Sequence, residues 1–231
     1  GADAAPGTSS GPPGQHQCQN GHPVDMGTGH VVDQAVDLEI DGLIPFIFKR
    51  YYSSERRSDL RAMLGPGWAH NWEMALWEEG KVTVLRDPQG RSIFFEQIPV
   101  GGSTFHRGER MELKRLTADR WEIFHVETRR TYRLEAFEAG GQAALRHVRD
   151  AWSNKIELVH EGGRLTTIVD TAGRSVRLSW QGHRLTRLDV RVGSGSEQSV
   201  DFLYDDASCL AAVTDALGQS ETFEYDAQRR M

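Results

Sequence analysis

Five groups of residues have side chains that could do chemistry. His16, Cys18 and His22 fall within seven residues of one another. A zinc site needs four donors, usually as two close pairs. Here there is one loose cluster in a polar segment, which reads as ordinary linker. His22 and His30 flank Asp25, an arrangement in which a general base is conceivable. His70, followed by Asn71, stands between Trp68 and Trp72. A catalytic histidine needs a nucleophile, and no Gly-x-Ser-x-Gly elbow is present. His70 therefore reads as a structural group hydrogen-bonded near a buried turn. Asp87, Asp150, Asp170 and Asp215 recur along the chain. Calcium loops need several oxygens within a dozen residues, whereas each of these sites offers one or two, so the aspartates read as turn caps. Trp152, Trp180, Phe202, Tyr204, Phe223 and Tyr225 could form a sugar-binding surface. Their alternation favours a sheet core or an inner lining. No residue is thus assigned a catalytic, cofactor-binding or metal-binding role, and the chain is read as non-enzymatic.

The elements around these residues are strands. From Asp150 onward one unit recurs: Asp150-Ala-Trp-Ser-Asn, Asp170-Thr-Ala-Gly-Arg and Asp215-Ala-Leu-Gly-Gln. Each is an aspartate, two variable residues, Gly or Asn, and a polar residue before an alternating apolar run. Aspartate can hold the backbone two residues on, and glycine takes the positive φ such a turn requires. Between these turns Leu165, Leu185 and Leu210 mark the register, and Met231 takes the next such place. Spacings of about 20 to 25 residues belong to repeat architectures. Asp87-Pro-Gln-Gly-Arg already uses the same grammar.

Upstream, Val36-Asp-Leu38-Glu-Ile40 alternates, and Ile44 to Tyr52 reads as a long aromatic strand. Ser53 to Ala62 is a loop or short helix. Gly65 and Gly67 around Pro66 fix a turn, and Trp68 and Trp72 are expected to plug a core. Strands are expected over Trp72–Trp77, Lys81–Arg86, Arg91–Glu96, Met111–Leu116, Trp121–Val126, Thr131–Leu134, Ser175–Trp180, Arg187–Val192 and Thr222–Tyr225. The stretches at Gly101-Gly102, Gly140-Gly141 and Gly193-Ser-Gly-Ser196 read as loops. The fold class is all-β: antiparallel hairpin repeats in a long twisted sheet of on the order of 15 strands. At about 4.8 Å per strand such a sheet is roughly 70 Å across.

The 231 residues carry a net charge of −6, with 26% charged and 38% hydrophobic residues. No basic block indicates nucleic-acid binding, and no run of 18 apolar residues indicates a membrane span. Gly1-Ala-Asp-Ala-Ala-Pro lacks the basic start and apolar core of a Sec signal. Residues 1–20 cannot bury enough apolar surface to order themselves and read as a flexible linker or tail. Two cysteines, Cys18 and Cys209, make no disulfide framework.

Phe202-Leu-Tyr204-Asp205 and Phe223-Glu-Tyr225-Asp226-Ala-Gln-Arg-Arg-Met231 resemble the YD repeats of Rhs proteins. Gly21-His-Pro-Val-Asp-Met-Gly-Thr-Gly29, Tyr51-Tyr-Ser-Ser54 and Leu64-Gly-Pro-Gly-Trp68-Ala-His70 resemble the domain that opens the Rhs core in bacterial polymorphic toxins. The resemblance covers residues 21–231. It implies an opening domain over 21–80 and β-hairpin repeats over 81–231. It also implies a sheet that spirals into a hollow shell, or cocoon, holding a C-terminal toxin until delivery, often by type VI secretion. The partners implied are the remainder of the shell, the toxin domain, and a secretion spike or chaperone. The location implied is the bacterial cytoplasm before export by a non-Sec route. A PAAR-like segment and the self-cleavage motif of the family are not seen. An array halting at Met231 leaves a sheet edge without its partner strand, so the repeats are expected to be truncated and not to enclose cargo alone. The competing readings are a YD-repeat surface module that binds carbohydrate or a protein partner, and a hydrolase within Gly21 to His70.

Overall fold

A computed structural model of the protein describes residues 29–138, 140–192 and 196–231. The polar stretch 1–20, the His16/Cys18/His22 cluster, Asp25 and the Gly193–Gly195 loop lie outside the described residues, as does most of the first opening motif.

Two antiparallel sheets account for all the described strands. The first has three strands: β1 (Val32–Ile40), β2 (Phe46–Ser53) and β3 (Trp68–His70), in that order. A single 3-10 turn, Ser54–Ser58, follows β2, capped by the Ser53 side chain, which accepts from the Glu55 amide. The second sheet has 15 strands. It begins with β4 (Ala75–Glu79), β5 (Val82–Arg86), β6 (Ser92–Glu96) and β7 (Ser103–His106). Next come β8 (Met111–Arg115), β9 (Arg120–His125), β10 (Arg130–Ala136) and β11 (Ala143–Arg149). The repeats supply β12 (Lys155–Glu161), β13 (Arg164–Val169), β14 (Ser175–Gln181) and β15 (Arg184–Val192). The last three strands are β16 (Ser196–Tyr204), β17 (Leu210–Thr214) and β18 (Ser220–Thr222).

From β7 to β18 each strand pairs with its neighbour in sequence, and the sheet does not close on itself. It forks once. β11 pairs with β12 over His147–Arg149 and with β4 over Ala143–Ala144, so β4, β5 and β6 branch off its flank. The strands follow from alternation. In β14, Val176 and Leu178 are buried while Ser175 and Arg177 face solvent. One apolar core runs through both sheets, from Leu38 and Phe46 to Phe202 and Phe223.

The strand expected over Arg187–Val192 begins at Arg184, and boundaries depart from the sequence reading in three further places. The strand expected over Trp72–Trp77 begins at Ala75, because Trp68–His70 already forms β3 against β2. β7 was not foreseen; its Ser103-Thr-Phe-His sequence looks like loop, yet it pairs with β8. The last strand ends at Thr222 instead of running to Tyr225. Past that point the Phe223 amide still bonds to the Ala211 carbonyl (2.9 Å).

Candidate functional site: the seam between the two sheets

The aspartate turns are alike at atomic detail. In the Asp87, Asp150, Asp170, Asp215 and Asp226 turns, Oδ1 accepts from the amides two and four residues on, at 2.8–2.9 Å. Asp205 does the same for the Cys209 amide. Where the fourth residue is arginine, its Nε binds Oδ2: Arg91, Arg174 and Arg230 at 2.8, 2.6 and 2.7 Å. Oδ1 is thus committed to the backbone, as turn capping requires, and Oδ2 to a side chain where arginine follows. The residue three on takes positive φ. It is Gly90, Gly173 or Gly218 in three turns, but Ser153, Ser208 and Arg229 in the others. The sequence reading aligned Asn154 with this place. The structure corrects it to Ser153, while Asn154 binds Asp150 Oδ2 through its side chain.

The register leucines have a second job. At Leu145, Leu165, Leu185 and Leu210 the strand pairing shifts by one, leaving Arg146, Thr166, Thr186 and Ala211 as extra residues. These bulges all fall at the same rim of the sheet, where such insertions bend the strand and increase its twist. Across from the leucines stand His160, Trp180 and Tyr204. Trp180 Nε1 donates to the carbonyl of Leu165, Tyr204 to that of Leu185, and Tyr225 to that of Leu210 (2.9, 2.5 and 2.8 Å). Each aromatic therefore stitches its unit to the leucine of the unit before. Burial pushes the Tyr204 and Tyr225 hydroxyls far above the usual tyrosine range, so both remain donors. Of the six aromatics that could have formed a sugar surface, Trp152 is the exposed one, at 81%.

The three-stranded sheet lies against the end of this array. Trp68 is fully buried; its ring meets Phe223 edge-on at 5.1 Å, and its Nε1 donates to Tyr225 Oη at 2.8 Å. Phe48 packs on Phe202 at 5.9 Å. The Gly67 backbone lets the Tyr52 ring lie flush on it, for a Cβ there would sit 2.4 Å from Tyr52 Cε2. Arg50, 1% exposed, lies over the rings of both Trp68 and Phe223, 4.8 Å from each. Its Nε donates to Asp37 Oδ1 at 2.8 Å, and its Nη2 to Glu221 on the edge strand. Burial raises the Asp37 carboxyl to about 6 against the pull of Arg50. The expectation that Trp68 and Trp72 plug a core is met, and they plug the same one.

A second buried polar knot lies beside it. His70 stacks on Phe48 and accepts the Trp72 amide through Nδ1 at 3.3 Å. This is the hydrogen-bonded, structural placement expected of it. Glu73 lies 3.7 Å from His70 and 3.4 Å from Arg56. Burial lifts Glu73 to about 7, and burial with the Arg56 charge holds His70 down to about 3. No nucleophile joins them among the described residues. His30 stands 3.5 Å from the Ser54 hydroxyl, while Asp25 and His22 lie outside the described residues. Cys209 is a buried thiol. Among the described residues no cluster of three or more metal-binding side chains occurs, and no helix is long and apolar enough to cross a membrane.

Residues 21–95 match the family model described as "Domain of unknown function (DUF6531)". "Double-stranded DNA deaminase toxin A" of Burkholderia cenocepacia (strain H111) is 29% identical over 206 residues. That match covers 86% of this chain and 14% of the toxin. "Probable deoxyribonuclease RhsA" and "Probable deoxyribonuclease RhsB" of Dickeya dadantii (strain 3937) are each 26% identical over 226 residues. Those matches cover 90% of this chain and 15% of either protein. The chain thus spans about one seventh of the length of the curated relatives it matches. The opening motifs, the stitched Tyr-Asp units and these likenesses are together consistent with an Rhs/YD-repeat polymorphic toxin protein.

Proposed function

We propose that this chain is the opening part of an Rhs shell, a non-enzymatic wall that encloses a C-terminal toxin and helps deliver it in competition between bacteria. One observation carries the reading. The 15-stranded sheet is open, and its bulges repeat at one rim, a pattern that curves a sheet in a single sense. The buried seam supports it, since an opening sheet seated on the array seals one face of such a wall. On this reading residues 21–80 are the opening domain and 81–231 the wall. The nuclease and deaminase activities in the relatives' names would belong to other parts of those proteins. The partners are the rest of the shell, the toxin domain and a secretion spike or chaperone, and the protein waits in the cytoplasm for a non-Sec route. Limited proteolysis of the intact, full-length protein tests this. The C-terminal domain should survive protease while the protein is native and be cut once it is released by denaturant. Rapid cutting of that domain within the native protein would refute the enclosure.

A further inference from the structure

The opening domain touches the array at a repeating place. Three successive turns close at the leucine rim, ahead of Leu185, Leu210 and Met231. At the first, the Leu185 amide donates to the Met63 carbonyl at 3.0 Å. Arg184 there donates to the carbonyls of Ala62 and Leu60, the latter at 3.3 Å. At the second, Gly65 lies so close that a Cβ would stand 3.1 Å from both the Leu210 amide nitrogen and the Ser208 carbonyl oxygen. At the third, Tyr52 Oη donates to the Arg229 carbonyl at 3.1 Å and accepts the Met231 amide at 2.9 Å. Tyr52 and the segment Leu60–Gly65 of the opening domain thus meet three successive units, each at its leucine place.

Two of the three turns they meet need holding. Ser208 and Arg229 sit at φ 62 and 59, a region that L-residues avoid. On the opposite rim Gly173 and Gly218 fill the equivalent place without strain, and Ser153 alone takes it as an L-residue, at φ 70. We infer that Tyr52 and the segment Leu60–Gly65 act as a register gauge, fixing which residue of each unit stands at the leucine place. The inference concerns assembly of the array and stands whether or not the shell encloses a toxin.

Amide hydrogen exchange tests it. Tyr52→Phe keeps the ring and removes both hydrogen bonds. Exchange should quicken at least tenfold through Leu210–Thr214 and at Phe223, while Thr167–Val169 in β13 stay protected. Adding Arg229→Gly, which relieves the turn, should restore most of the lost protection. Gly65→Ala should loosen the second unit in the same way; if that variant fails to fold, Tyr52→Phe decides alone. Quickening confined to the Met231 amide, or spread evenly over the array, overturns the inference. So does a failure of Arg229→Gly to restore protection.

Discussion

Glu73 and His70 show how burial sets a residue's titration. Glu73 binds its proton more tightly when folded, near 7 against an ordinary 4.5. Its contribution to stability is therefore present at low pH and lost as pH rises through 7. Asp37 acts in the same sense near 6. His70 runs the other way: its folded value is about 3 against 6.5, so its contribution is full above pH 6.5 and declines below it. Between pH 8 and 6.5 the carboxyls act against His70, His147 and His160, all held below the usual histidine value by burial. The Glu73 contribution is isolated by comparison with Glu73→Gln: the thermal midpoint of the native protein should gain on that of the variant as pH falls across the window. A difference that stays constant or shrinks from pH 8 to 6.5 would contradict the assignment. None of this was legible in the sequence. His70 could be read as structural from its tryptophan neighbours, but Glu73 is one acidic residue among many until burial singles it out. The same holds for Arg50, a cation in an alternating strand that the fold places against two aromatic rings.

Among the elements, the turns were the most legible, because an aspartate that caps a backbone leaves its mark at fixed offsets. Leu165, Leu185 and Leu210 were rightly read as register marks. What they mark, the bulge and the aromatic donor one unit on, was not readable. The partners Trp180 to Leu165 and Tyr204 to Leu185 are separated by 15 and 19 residues, and a bulge has no composition of its own. The Ser153, Ser208 and Arg229 places hid because glycine is the usual signal for positive φ. That makes Ser208 a point of stored strain. Left-handed backbone costs an L-residue about 1–2 kcal/mol, while glycine forfeits about 0.5–1 kcal/mol of chain entropy. Ser208→Gly should therefore stabilise the protein by roughly 0.5–1 kcal/mol in chemical denaturation. A loss of stability would mean that the serine earns its place by a contact of its own.

At the scale of the molecule, one core threads both sheets. Stacked hairpins that touch only their neighbours tend to unfold piecemeal. Here Trp68 and Tyr225, 157 residues apart, are hydrogen-bonded inside that core. The opening sheet and the array should therefore unfold in one transition. Tryptophan fluorescence and far-UV circular dichroism should report coincident midpoints. Trp68→Ala should cost about 3–5 kcal/mol and separate the two signals. Separate midpoints in the native protein would show the seam to be weaker than its burial indicates. The all-β class and the plug were readable from alternation and from large apolar residues beside a Gly-Pro-Gly turn. The fork at β11 was not, since a strand that shares its flank between two partners leaves no trace in periodicity.

The clasp at Tyr52 also matters under load. Val31 and Met231 line one shallow hollow, although 200 residues separate them. Tension applied between these two points would not first peel hairpins from the sheet, which is how antiparallel strands give way easily. It would have to draw Tyr52 out of its bonds to Arg229 and Met231 and slide Trp68 from Phe223. The seam is thus a mechanical fuse in parallel with the array: intact, it shields every hairpin behind it, and once broken it releases them one after another.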